Sequence, residues 1–357
     1  MTKPSILVMA GGTGGHIFPG LAVAEYLRIC GWQVSWLGNR NGMEYRLVKS
    51  CDFPFEAVEF GGLRGKGAKA KIMLPINLAR ACFQSWKIMR RLKPSVVLGM
   101  GGYITFPGGL VTKLLKRPLV LHEANSVAGS ANRALAKIAM RTLTGFPDTM
   151  QNAEWVGNPI REEFDHIQNP ELRYQERQGP LSILVVGGSL GAAALNENIP
   201  AALALLPKES RPTVIHQAGD KHLAELQQRY ADLGVEADTR PFIDDMPAAY
   251  AQADLVICRS GAMTVSELAA CGVASCLIPF PHAIDDHQTA NAKFLSDADA
   301  AVLLPQQYLN PQDLASMIQN LNRADLKEMA VRAHALAKPH ATQRVAEVCA
   351  DCAGVGV

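Results

Sequence analysis

At 357 residues, with 48% hydrophobic and 19% charged side chains, the chain is long enough for two domains of roughly 150 residues, each with its own core, and its composition excludes a disordered polymer, a fibre and a small disulfide scaffold. No apolar run approaches the roughly 20 residues that cross a bilayer, and the opening run 5–10 is cut by Gly11 and Gly12 before a signal segment develops, which points to the cytoplasm. The net charge of +2 conceals opposed halves: residues 1–160 carry twenty Lys and Arg against eight Asp and Glu, and residues 161–357 carry fifteen against twenty-five.

Short β-rich runs alternate with stretches of helical period. Residues 6–9, 33–37, 96–98 and 119–121 read as buried strands, and a second series follows at 181–186, 213–216, 255–258 and 274–278. Such βαβ alternation builds parallel sheets, so two series predict two α/β domains. ILVMAGGTGGH at 6–16 and ILVVGGSLGA at 183–192 echo each other. Each sets a hydrophobic strand before a glycine-rich turn and a helix, as nucleotide-binding units do. Residues 158–179, with Asn158-Pro159, Asn169-Pro170 and many charges, read as an interdomain connector, and a cleft between the halves is expected. Residues 342–352 read as a last helix after Pro339. The eight cysteines lie mostly in apolar segments without the spacing of a disulfide framework, which fits a reducing compartment. Cys349 and Cys352 form a CxxC with no second pair, and core packing is its simpler reading.

GGTGGH at 11–16 sits where a strand ends and a helix begins, so its glycines admit an anion to the backbone N–H groups. A dinucleotide fingerprint would need GxGxxG and an acidic residue closing the second strand, but that strand ends in Leu37-Gly38-Asn39-Arg40. His16 is the titratable group of the turn and suits a general base near neutral pH, or else caps the helix. In the second half Ser189 lies in GGSLGA, and RSGAMTVSE at 259–267 again offers small residues, hydroxyls and a helix start. Glu267 fits the hydroxyls of a ribose, or a capping role at the helix dipole. PFPHAIDDHQTANA at 279–292 gathers His282, Asp285, Asp286, His287, Gln288 and Asn291. That mixture suits a sugar better than a metal ion.

GMGGYITFPGG at 99–109 offers a third turn for a phosphate, and HEANSVAG at 122–129 places Glu123 and Asn125 just past a strand, where open α/β sheets bind ligands. Ordinary loop packing is the alternative for each. Between Gly61 and His122 stand twelve basic residues and no acidic one. Within that stretch, 72–92 carries more apolar bulk than one buried face needs. Apolar surface rimmed by cations binds anionic membranes; a core helix with a basic outer face is the plainer reading. Poor aromatic interleaving argues against nucleic acid.

Taken in order, GGTGGH, GLRGKG at 62–67, GMGGY, LHEAN, GNPIR at 157–161, GGSLGA, FIDDM at 242–246, RSGAMTVSE and DHQTANA closely resemble the MurG family of glycosyltransferases over almost the whole chain. The resemblance implies an α/β protein of the GT-B fold, two Rossmann-like parallel-sheet domains facing a central cleft. It implies an N-terminal acceptor and membrane-binding domain at 1–160, a C-terminal UDP-GlcNAc donor-binding domain at 161–340, and a C-terminal helix at 341–357 crossing back to the first domain. The implied activity is inverting transfer of N-acetylglucosamine from UDP-GlcNAc to the C4 hydroxyl of undecaprenyl-diphospho-MurNAc-pentapeptide (lipid I to lipid II), in the peptidoglycan synthesis that serves cell shape and division. No cofactor or metal is implied. The implied setting is peripheral, on the cytoplasmic face of the bacterial inner membrane. The implied partners are UDP-GlcNAc, the lipid-linked muramyl pentapeptide, an anionic membrane surface and other cell-wall synthesis proteins, with no nucleic acid.

Carried onto matching positions, the resemblance makes His16 the catalytic base, with Asn125 beside it and Glu123 the next candidate. Thr13, Gly14, Gly15, Asn125 and Arg161 line the site. Ser189 and the helix start Ala262, Met263, Thr264, Val265 and Ser266 take the diphosphate, Glu267 the ribose, Ile243 the uracil through its backbone, and Gln288 the sugar hydroxyls. Preorganised N–H groups with Arg259 or Arg161 would stabilise the leaving diphosphate. Ile72, Leu74, Phe83 and Trp86, with Lys69, Lys71 and Arg80, form the membrane patch. Leu190 stands where the family commonly has glutamine, and His287 at a position that varies. An epimerase or hydrolase of the same nucleotide sugar, a transferase with another acceptor, and a non-catalytic binding protein are the other readings.

Overall fold

The computed structural model describes residues 3–61, 72–188 and 191–356. They divide into two compact units, Met1–Arg161 with Lys338–Val357, and Glu162–Ala337.

The first unit is built on a seven-stranded parallel sheet formed by β1 (Ser5–Ala10), β2 (Gln33–Gly38), β3 (Phe55–Ala57), β4 (Val96–Gly101), β5 (Leu119–Glu123), β6 (Arg141–Thr144) and β7 (Glu154–Trp155). Its order is β3-β2-β1-β4-β5-β6-β7. Chain direction of growth therefore reverses between β1 and β4, and the turns leaving those two strands open side by side at the edge where such sheets bind ligands. Alternate residues of β1 feed two apolar layers, Ile6 and Val8 on one face, Leu7 and Met9 on the other. The final helix Ala341–Ala353 belongs to this unit and buries Val345, Ala346, Val348, Cys349 and Ala350 in the layer that holds Ile17, Leu21 and Ala24 of the first helix. Each of its valines contributes on the order of 1.5–3 kcal/mol by burial. Cys349 and Cys352 are free thiols there, and burial pushes both up in pKa, as core cysteines rather than reactive ones.

The second unit repeats the plan with β8 (Ser182–Val186), β9 (Thr213–Gln217), β10 (Asp238–Arg240), β11 (Leu255–Cys258), β12 (Ala274–Leu277) and β13 (Val302–Leu303), all parallel, in the order β10-β9-β8-β11-β12-β13. Its reversal lies between β8 and β11. The strands expected from periodicity are all present: five run one to three residues further, one is as expected, and two are one residue shorter. Five more, β3, β6, β7, β10 and β13, have two to four residues each. They are too short, and β6, β7 and β10 too charged, to carry an apolar run.

Residues 158–179 are not an open connector. After Glu162 the chain forms a 3-10 turn at Glu162–His166 and a helix at Pro170–Gln175 started by Asn169, whose side chain accepts the Glu171 N–H at 2.8 Å. That helix is packed into the second unit: the Tyr174 hydroxyl donates to Asp254 O at 2.7 Å, and Arg173 donates to Cys271 O and Gly272 O. Asp254, nearly inaccessible, pairs with Arg177 at 2.7 Å and Arg323 at 3.0 Å, and accepts the Ser182 N–H at 2.8 Å. Burial raises its pKa, but Arg323, the Ser182 amide and Arg177 together overcome burial and hold the carboxyl below its usual range. A folded-state pKa below the unfolded one gives stability that is present above about pH 4 and lost as pH falls through the folded value. Removing one partner leaves a buried charge, which costs about 3–5 kcal/mol. Arg177→Ala should lower the unfolding free energy at pH 7 by that order in a denaturant titration. The difference in stability between the wild type and Asp254→Asn should shrink below about pH 4; a difference constant from pH 7 to pH 3 would contradict the assignment.

Candidate active site

In the first unit the turn after β1 runs into the helix Gly14–Ile29. His16 and Ile17 N–H both close onto Thr13 O, at 3.1 and 3.3 Å, so the N–H groups of Gly14 and Gly15 lead the helix. Thr13 Oγ1 does not cap them; it meets His16 Nδ1 at 3.4 Å. No acidic side chain stands in this first turn, which leaves the positive end of the helix dipole to a ligand.

The turn after β4 packs against this one. Gly102 has φ +82°, and a side chain there would collide with Gly11 O. A Cβ on Gly101 would lie 2.9 Å from His16 Cδ2 and 3.5 Å from Asn132 Nδ2. Asn132 Nδ2 in turn donates to Glu123 Oε2 at 2.9 Å. Thus His16, the β4 turn, and the loop after β5 that carries Asn125 are brought into one patch. The helix after β4, Thr105–Leu114, offers less than its sequence suggested: Thr105 N–H and Phe106 N–H already bond Gly102 O and Tyr103 O, at 3.3 and 3.4 Å.

Glu123 closes β5 rather than following it, and it is buried. Its oxygens accept Asn125 N–H at 3.0 Å and Gly129 N–H at 3.0 Å besides Asn132. These bonds use the carboxylate to shape the Asn125 loop. Glu44 does the same for the first turn. Wholly buried, it accepts Asn39 N–H at 3.0 Å and Gly12 N–H at 3.4 Å. Burial and the nearby Glu44 charge push the Tyr103 phenol up, and its ring lies over Gly12. Glu44 and Asn132 escaped the sequence reading because no motif marks them: Glu44 meets Gly12 from 32 residues away, and Asn132 reaches Glu123 across a loop and a helix start. His122 is buried beside them; burial lowers its pKa, and Nε2 donates to Gly157 O at 2.9 Å.

In the second unit two helices start uncapped at the β8 and β11 turns, Ala193–Leu205 and Ala262–Cys271, again with no acidic residue in the first turn. Val265 N–H closes onto Gly261 O at 3.0 Å and its side chain is core. The groups that lead this helix are therefore Ala262, Met263 and Thr264, and Val265 and Ser266 lie behind them. Glu267, half-buried, stands in the second turn. Ser260 fixes the neighbouring helix His287–Ser296: its hydroxyl donates to Gln288 O at 2.8 Å, and its carbonyl accepts Asn291 Nδ2 at 3.2 Å. Gln288 Oε1 accepts Phe280 N–H at 2.9 Å, which turns its Nε2 to any further partner. Ile243 is buried and donates its N–H to Gln217 Oε1 at 3.2 Å.

Arg259 is partly engaged within the second unit. Its guanidinium donates to Ile278 O, Pro279 O and Gln306 Oε1, at 3.1, 3.2 and 2.7 Å, and burial lowers its pKa. Through these bonds it braces the loop after β12. Arg161 is exposed at the end of the first unit's main segment. Ser189 and Leu190 lie outside the described residues, as do Lys69, Lys71 and the GLRGKG motif.

On the helix Leu74–Leu92, Ala81, Ser85, Ile88 and Met89 face the core, with Leu74 and Trp86 half-buried against it. Ile72, Ile76 and Phe83 stay exposed. Phe83 stacks on Trp86 with centroids 5.8 Å apart, Lys87 lies 5.4 Å from the Phe83 ring and Arg90 4.9 Å from the Trp86 ring. Arg80 pairs with Glu59 and Arg91 with Glu56, so part of the basic excess is neutralised. No helix among the described residues is long and apolar enough to cross a membrane.

Gly102→Ala should separate the two turns that hold His16. Its expected effect is at least a tenfold loss of turnover, whereas Gly31→Ala, equally left-handed at φ +86° but with nothing within 4 Å, should lose about 1 kcal/mol of stability and keep turnover. Equal effects of the two on turnover would contradict the packing argument.

Residues 6–144 match the glycosyltransferase family 28 N-terminal domain, and residues 182–346 its C-terminal domain. A curated protein of Polynucleobacter asymbioticus named UDP-N-acetylglucosamine--N-acetylmuramyl-(pentapeptide) pyrophosphoryl-undecaprenol N-acetylglucosamine transferase is 89% identical over 357 residues, the full length of both chains. A protein of the same name from Cupriavidus pinatubonensis is 62% identical over 98% of each chain. Among solved structures, MurG of Acinetobacter baumannii superposes with a TM-score of 0.86 at 42% identity, covering 97% of this chain and 99% of that one. The two Rossmann-like parallel-sheet units are those of a GT-B glycosyltransferase, and the chain belongs to glycosyltransferase family 28, within it to the MurG family.

Proposed function

We propose that the chain transfers N-acetylglucosamine from UDP-GlcNAc to the C4 hydroxyl of undecaprenyl-diphospho-MurNAc-pentapeptide, with inversion at the anomeric carbon. The observation that carries this reading is the 89% identity, over the whole length of both chains, to a transferase of that printed name. The uncapped helix starts at the reversal points of both sheets support it, since each suits a diphosphate.

In this reading residues 161–340 take the donor and residues 1–160 the acceptor and the membrane, with 341–357 completing the acceptor part. The N–H groups of Ala262, Met263 and Thr264, with the Ser189 turn, receive the UDP diphosphate. Glu267 accepts from the ribose, the Ile243 carbonyl meets the base, and Gln288 Nε2 reaches a sugar hydroxyl. Thr13, Gly14, Gly15, Asn125 and Arg161 line the acceptor side. His16 takes the proton of the C4 hydroxyl while its oxygen bonds the anomeric carbon and the bond to the UDP oxygen breaks. The negative charge gathers on the departing diphosphate, where fixed N–H dipoles stabilise it without rearrangement. The exposed Ile72, Ile76 and Phe83, with Lys87 and Arg90 at the aromatic pair, support a peripheral attachment to anionic lipid on the cytoplasmic face of the inner membrane. Other cell-wall synthesis proteins at that surface are further partners in this reading.

UDP release from UDP-GlcNAc should require the lipid-linked muramyl pentapeptide and yield a disaccharide lipid. Release without acceptor would make the chain a hydrolase or epimerase, and binding without release a non-catalytic protein. His16→Ala should lower kcat by about 10²–10⁴ at saturating substrates; near-normal turnover would move the base elsewhere. In sedimentation, the protein should prefer anionic over neutral vesicles and lose that preference on Ile72→Asp with Phe83→Asp. Equal binding to both vesicle types would remove the membrane reading.

A further inference from the structure

We propose that Gln217 is a positioning residue for the nucleotide, its single side-chain amide setting the span between the diphosphate turn and the segment that reads the base. The proposal deepens the donor-site reading above and rests on it. Gln217 ends β9 and is buried. Its Nε2 donates to Gly188 O at 3.0 Å, in the turn after β8, and its Oε1 accepts Ile243 N–H at 3.2 Å. One amide thus joins two loops that are 55 residues apart in the chain, and each of its two ends does a different job.

The backbone around Gln217 makes it a platform. Ala218 N–H donates to Arg240 O at 2.9 Å and Gly219 N–H to Pro241 O at 3.1 Å, which lays the base-reading segment along the end of β9. On the other side Gly191, at φ +74°, packs so closely that a side chain would collide with Ala218 O. Asn196 Nδ2 also donates to Ala218 O, at 3.3 Å, and Asn196 Oδ1 lies 3.1 Å from Nε2 of His216, whose Nδ1 lies 2.9 Å from the Tyr230 hydroxyl. Burial lowers the His216 pKa to about 3, so this support stays uncharged and its bonds unchanged across physiological pH. With Ile243 N–H held by Gln217, a base meets the Ile243 carbonyl. That oxygen accepts from the N3–H of uracil and finds no hydrogen on N3 of cytosine. Displacing Ile243 should therefore weaken the choice between the two bases, which a merely packed glutamine would not do.

The test measures UDP and CDP binding by calorimetry on the full-length chain, with donor KM, kcat and Tm, for the wild type, Gln217→Glu and Gln217→Leu. Gln217→Glu keeps the acceptor for Ile243 and loses the donor to Gly188 at nearly the same size, so it reads the link even if the leucine variant does not fold. We expect UDP to bind about tenfold more weakly, the equivalent of one buried hydrogen bond left unmet. The UDP-to-CDP preference should narrow and the donor KM should rise with kcat little changed. Folded variants whose UDP affinity and base preference equal those of the wild type would overturn the proposal, as would a lower Tm with an unchanged preference. A wild type that does not bind UDP would instead overturn the donor reading itself.

Discussion

A helix that begins without a capping side chain leaves N–H groups to be satisfied from outside, and the rest of this structure is arranged around three such starts. The helices led by Gly14, Ala193 and Ala262 stand where strand order reverses in the two sheets, and none has a capping side chain or an acid in its first turn. Four other helices of the second unit are finished differently. Those opened by Asn169, Asp245, Asn310 and Asn322 each have the side chain of that residue on an N–H of the first turn. The difference is of sequence, small residues in one set and Asx in the other.

Leaving N–H groups open demands that the turns before them be held by something else. Buried side chains do this. Glu44 receives the Gly12 amide, Glu123 the amides of the Asn125 loop, and Gln217 the Gly188 carbonyl together with the Ile243 amide. Each sits at or beside the end of a strand or the start of a helix, so the sheet fixes it and it fixes the loop. A buried acceptor with two or three N–H donors is stable in the interior and costly to leave unmatched.

The alternation of apolar runs and helical stretches made the two parallel sheets legible, because strands buried on both faces read as continuous hydrophobic runs. The glycine-rich turns were legible for a related reason: GGTGGH and RSGAMTVSE follow such runs directly. Edge strands such as β7 and β10 were not, since Glu154-Trp155 and Asp238-Thr239-Arg240 have no apolar signature. The packing of the helix at Pro170–Gln175 was also hidden, because its charges and prolines resemble a linker while Tyr174 and Arg173 are buried. Side-chain roles were the least legible. Arg259 looks like a phosphate ligand beside a helix start, yet it also donates to carbonyls 19 and 20 residues away and to Gln306. No local spacing announces Glu44 or Gln217, whose partners become neighbours only in the sheet.

We propose that the open amides of the second unit, not those of the first, receive the donor diphosphate. Backbone hydrogen exchange with and without UDP reads this directly. Slowed exchange is expected at residues 262–264, in the turn before Ala193 and around Ile243, with residues 11–16 unchanged. Protection at 11–16 with none at 262–264 would reverse the roles assigned to the two units.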